Sequence, residues 1–146
     1  MAKLAESTFL NCEAQTQPFS SVDAEPPIDL VHLSRQTFGD HELECELLGL
    51  FEAQAGQFAE RLRAPAAFGD ADWRIGLAHT IKGSARAVGA FEVGRAAESY
   101  EEALRAGDPS AVNLARSLDA AIGRARGAIA LLLSGARSER SDREIF

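Results

Sequence analysis

The chain has 146 residues, 46% of them apolar and 25% charged, with a formal net charge of −7. That length suits one domain with one real core, and the balance excludes a fully disordered chain and a membrane span, since no run approaches the roughly 18 apolar residues a bilayer crossing needs. Net negative charge without a dense basic tract argues against sequence-independent nucleic-acid binding, which relies on cationic contacts to phosphates, and favours protein partners.

Residues 1–27 read as a flexible tail. They carry Pro18, Pro26 and Pro27 and no sustained periodicity, so they bury too little apolar surface to offset the entropy of ordering. Leu4, Phe9, Leu10 and Phe19 would let the tail dock as a short helix. Residues 1–7 lack a charged region followed by an apolar block, so no secretory signal is expected. Cys12 and Cys45 lie far apart in no metal-ligand spacing and read as free thiols of a cytoplasmic protein.

From Ile28 the pattern is helical. Ile28, Leu30, Val31, Leu33 and Phe38 predict a short first helix, broken at Gly39-Asp40. Asp40 caps a second helix from about His41 to Arg63, whose stripe is Leu43, Leu47, Leu50, Phe51, Gln54, Phe58 and Leu62. Pro65 lies just past its end. Asp70 caps a third helix, Ala71 to Val88, which Gly89 stops. A fourth runs from about Phe91 to Arg105 with Ala96, Ala97, Tyr100, Ala103 and Leu104 inward. Gly107, Asp108 and Pro109 then supply a C-cap, an N-cap and a first helical residue. The last helix buries Val112, Ala115, Leu118, Ile122, Ala125, Ile129 and Leu132, and its charged end, Ala136 to Phe146, is expected to fray. The predicted fold is all-α, an antiparallel four-helix bundle with an additional short N-terminal helix. It divides into a tail at 1–27, a bundle at 28–134 and a charged end at 135–146.

The third helix carries the chemistry. With Leu77 at zero and about 100° per residue, Ile81, Ala85, Val88 and Ala78 fall between about 20° and 100° and form the buried stripe. Lys82, Arg86, His79 and Gly83 fall at about 140°, 180°, 200° and 240°. His79 therefore points away from the core, with Lys82, Gly83 and Arg86 around it. A neutral imidazole is a nucleophile toward phosphorus, and the anionic product would find Lys82 three residues on. Gly83 removes a side chain beside the histidine, at a cost to the helix of about 0.5–1 kcal/mol relative to alanine. Taken singly, a histidine on a polar helix face is usually just solvated, a lysine there is commonplace, and a helical glycine often marks close packing.

The run Ala78-His79-Thr80-Ile81-Lys82-Gly83-Ser84-Ala85-Arg86-Ala87-Val88-Gly89-Ala90 strongly resembles the signature of histidine-containing phosphotransfer (HPt) domains, helical bundles that relay phosphoryl groups in multistep two-component signalling. The likeness extends over about residues 28–133. Ile28-Asp29, then Gly39-Asp40 with Leu47-Leu48-Gly49-Leu50-Phe51, then Ala96-Ala97-Glu98-Ser99-Tyr100-Glu101 resemble the family's first, second and fourth helices. Ile81 stands where leucine is more usual. The resemblance implies that His79 is phosphorylated, that Lys82 supports the phosphoryl group, and that Gly83, with Ser84 and Arg86, forms a docking surface. It implies response-regulator receiver domains and a hybrid sensor kinase as partners, with a divalent metal on the receiver and none on this chain. The expected form is a cytoplasmic monomer.

Other machinery is missing from the sequence. Gly83-Ser84 and Gly89-Ala90 follow no strand and lack the phosphate-loop pattern, and kinase loops are absent. A phosphoryl group must then come from another protein. His32 and His41 read as solvated or locally bonded, Glu42, Glu44 and Glu46 as a solvated face, Cys45 as exposed, and Trp73 as packing. The competing readings are a non-phosphorylated helical adaptor and a dimerisation module. Four helices in one chain can close their own core, which favours the monomer.

Overall fold

The computed structural model describes residues 25–64 and 71–144. They form five helices: α1 (Leu30–Gln36), α2 (His41–Arg63), α3 (Ala71–Val88), α4 (Phe91–Ala106) and α5 (Ala111–Glu144). α2 packs on α3, α3 on α4, α4 on α5 and α5 back on α2, which closes a four-helix ring. The short α1 lies against α2 and α3. The expected tail up to residue 24, Pro65 and the Asp70 cap lie outside the described residues. No helix among those described is long and apolar enough to cross a membrane.

Local chemistry explains the helix ends. The Asp29 carboxylate accepts the His32 N–H (3.0 Å) and starts α1; Asp40 does the same for α2 through the Leu43 N–H (3.1 Å). Between them Phe38 (φ 54°) and Gly39 (φ 77°) turn the chain in the left-handed region. Phe38 was expected on the apolar face of α1, but the turn throws it outward, 97% exposed. α3 ends at Gly89 (φ +85°), where the Ala90 N–H reaches back to the Ala85 carbonyl (2.8 Å). α4 ends at left-handed Gly107. α5 starts two residues later than Pro109. The Asp108 side chain takes the Ser110 N–H (2.9 Å) and its carbonyl takes that of Ala111 (3.1 Å), so a turn precedes the helix.

The core is a single cluster in which alanine has a large share. On α2 the buried residues are Leu48, Phe51, Ala55, Phe58 and Ala59. This corrects the expected stripe: Leu43 and Leu50 are exposed, Leu50 to 69%. Small side chains at 55 and 59 let α2 approach its neighbours closely, and that rotates the bulkier leucines to the outer flank. On α5, Val112 is exposed, and Leu118, Ile122, Ala125 and Ile129 fill the interior. α5 runs as far as Glu144, with residues 137–143 exposed.

Arg74 is buried on α3, its guanidinium donating to the Ala64 carbonyl (3.0 Å) and the Tyr100 hydroxyl (3.4 Å). His32 is half-buried, its ring meeting Phe91 edge-on at 4.9 Å. His41 bonds locally to Glu44 (3.4 Å). Cys45 is half-buried rather than exposed. Trp73 is half-exposed, with the Arg61 guanidinium 5.8 Å from its ring centre.

Candidate functional site

α3 presents His79 to solvent, its side chain 65% exposed, while its close neighbours in sequence Ala78 and Ile81 face the core. The neighbouring α4 supplies what the sequence reading did not include. Glu101 projects from α4 with only 6% of its side chain exposed, and three donors converge on it. His79 Nδ1 lies 2.9 Å from Oε1, Lys82 Nζ 3.0 Å from Oε2, and Arg105 Nη2 3.2 Å from Oε1. His79 and Lys82, on one helix, are thus bridged by a carboxylate from the next.

The carboxylate decides the state of the imidazole. Burial alone would raise its pKa, but the hydrogen bonds from Lys82, Arg105 and His79 outweigh that and hold it down at about 2. Ionised at neutral pH, it can only accept. The shared proton therefore sits on His79 Nδ1, and the lone pair of the neutral ring sits on Nε2, the nitrogen away from Glu101. The outer nitrogen is the one left with a free lone pair.

This depression has a sign for stability. The carboxyl falls from 4.5 to about 2 on folding, so its contribution is fully present above pH 4.5 and is lost as pH drops through 2. The gap corresponds to about 3 kcal/mol. Wild type should therefore exceed Glu101→Gln in urea-unfolding stability by about that much at pH 7, and the two should converge near pH 2. A difference independent of pH between 5 and 2 would refute the ionised bridge.

The remaining residues singled out from the sequence do not all gather at His79. Lys82 does, only 17% exposed beneath the ring. Gly83 is exposed on the same face, and a Cβ built there would meet nothing within 4 Å. Internal packing thus gives no reason for this glycine. Arg86 turns away: its side chain crosses Gly94 on α4 and pairs with Glu98 (3.1 Å). Ser84 is half-buried and about 140° round the helix from His79.

His79 stands on open surface. A cleft of about 510 Å³ lined by Leu62, Arg74, Tyr100 and Leu104 does not include it, nor does a hollow between α2 and α3 lined by Gln54, Phe58, Leu77 and Thr80. Exposed outside both hollows, the imidazole is open to a reacting group carried in by another macromolecule.

The sequence model of the Hpt domain matches residues 46–133, the stretch that contains α3, α4, His79, Lys82 and Glu101. The chain belongs to the Hpt domain family. Its members transfer phosphoryl groups through histidine in phosphorelays and interact with receiver domains. No curated protein and no solved structure matches this HPt chain.

Glu101 and Arg105 left a signal in the sequence. On the α4 wheel Val93, Ala97, Tyr100 and Leu104 lie within about 100° of Glu101. An acidic residue on an inward stripe needs partners, and Arg105 follows it by one turn.

Proposed function

We propose that this HPt chain is a phosphorelay intermediate in which His79 accepts a phosphoryl group from a receiver-domain aspartate and gives it to another receiver. The observation that carries this reading is the Nδ1 contact to a buried, ionised Glu101 (2.9 Å), which leaves Nε2 as an outward-facing nucleophile. The Nε2 lone pair attacks phosphorus, the aspartyl carboxylate leaves, and the reverse step restores the free imidazole. Phosphoryl transfer of this kind needs positioning and charge neutralisation, not a proton relay. The aspartate and its divalent metal belong to the receiver. Exposed Gly83 gives that receiver room beside the histidine, and Ser84 and Arg86 flank the docking surface without touching the ring. The molecule acts as a monomer in this scheme, and light scattering tests that.

Lys82 is the group placed to neutralise the product. Its ammonium already lies one carboxylate away from the ring. Lys82→Ala is expected to slow transfer from a phosphorylated receiver about tenfold to a hundredfold and to keep the helical circular-dichroism signal. Unchanged transfer in this variant would remove Lys82 from the scheme.

A further inference from the structure

We infer that Glu101 keeps the Nδ1 proton on the ring after His79 is phosphorylated, so that the phosphohistidine is held as a ready donor and not as a store. This rests on His79 being the phosphoacceptor.

The electron balance shows why that proton matters. On loading, the Nε2–P bond forms and the P–O bond to the aspartyl carboxylate breaks, its electron pair leaving with the carboxylate oxygen. No proton moves. The product is a phosphorylated imidazolium that still carries Nδ1–H. On donation the Nε2–P bond breaks, its electron pair stays on Nε2, and neutral imidazole departs. If the Nδ1 proton has been lost to water in between, the same step must expel an imidazolate, a far poorer leaving group. Retention of one proton therefore governs onward transfer.

The surroundings of Nδ1 favour retention. Glu101 Oε1 faces it at 2.9 Å from a side chain only 6% exposed. A charge-assisted hydrogen bond between imidazolium and carboxylate is stronger than the bond that neutral imidazole makes, so Glu101 gains on phosphorylation. Two cations share the carboxylate: Lys82 from α3 on Oε2 (3.0 Å) and Arg105 from α4 on Oε1 (3.2 Å). Arg105 thus competes with Nδ1 for the same oxygen. The other charged groups nearby are engaged elsewhere. Arg86 pairs with Glu98 on α4, Arg61 of α2 lies over Trp73, and the Asp29 carboxylate before α1 accepts the His32 N–H. Among the described residues the Glu101 carboxylate is the group bonded to Nδ1 that rewards a proton there, and Arg105 tempers it.

Opposite effects of two substitutions test this. The full chain, Glu101→Gln and Arg105→Gln are loaded with phosphoramidate and followed by phosphorus and nitrogen NMR through a pH titration, with phosphate release timed at pH 8. In Glu101→Gln the phosphorylated ring should lose its Nδ1 proton at lower pH than in wild type, and phosphate release should slow about tenfold. Arg105→Gln, at a largely exposed position, should shift the deprotonation upward and quicken release. Identical titrations and release rates in wild type and both variants would overturn the role of Glu101 while leaving His79 as the acceptor. Absence of any phosphohistidine signal in the loaded wild type would overturn the acceptor reading itself.

Discussion

Substituting His79 by glutamine is expected to reduce transfer of label from a phosphorylated receiver to background, with unfolding stability within about 1 kcal/mol of the parent. The two halves of that expectation have separate grounds. Glutamine fills a similar volume on an exposed site, so the core is untouched: Ala78, Ile81 and Ala85 beneath it are fully buried whatever stands at 79. Its amide nitrogen has no available lone pair, so no nucleophile replaces Nε2. Lys82, Glu101 and Arg105 stay in place and can still attract a phosphoryl group without bonding to it. The measurement is acid-labile, base-stable phosphate on the chain after incubation with a phosphorylated receiver. Label that persists at the wild-type level in His79→Gln would rule out the relay reading and favour an adaptor that binds a partner without phosphoryl chemistry.

What could be read from the sequence followed physical legibility. Helix limits at His41, Val88 and Phe91 were readable because Asp40, Gly39 and Gly89 are residues with one obvious local use. The outward direction of His79 was readable because Leu77, Ile81, Ala85 and Val88 define the opposite face by apolarity. The same rule misled on α2, where Ala55 and Ala59 outrank Leu43 and Leu50 for the interior. Apolarity measures what a side chain gains from burial, whereas close helix approach rewards small size. Glu101 was missed for a related reason. Inward positions were assigned to apolar residues, so a carboxylate made tolerable by partners on another helix had no place in the scheme. Its His79 and Lys82 contacts span 22 and 19 residues of sequence, a relation that only the pairing of α3 with α4 creates. Arg86 shows the converse: the wheel puts it beside His79, and Glu98 on α4 draws it away.

That pairing depends on the α3–α4 turn, and two glycine-to-alanine changes, one in that turn and one within α3, should separate its role from that of the site. At Gly89 the backbone is left-handed (φ +85°), and an added Cβ would lie 2.6 Å from the Asp29 carbonyl oxygen. The obstacle is backbone, and it is held there: the Asp29 N–H donates to the Gly89 carbonyl (2.9 Å) while its side chain caps α1. Relief would need α1 to move off α3 or the turn to open. Left-handed strain costs an L-residue about 1–2 kcal/mol, and the clash adds to it. Gly89→Ala should therefore lose about 2–4 kcal/mol, a large part of a stability of roughly 5–15 kcal/mol. At Gly83 the φ is helical and the added Cβ meets open space, so the same methyl group should stabilise α3 by about 0.5–1 kcal/mol. Urea unfolding separates the two, and a Gly89→Ala midpoint equal to wild type would disprove the tie between α1 and the turn. Phosphotransfer then distinguishes why each glycine is there. Gly83→Ala should be more stable yet slower to exchange phosphoryl groups with a receiver, because its methyl group occupies the space a docked partner needs. If exchange is unimpaired, the clearance assigned to Gly83 is wrong, and the glycine serves neither the fold nor the encounter.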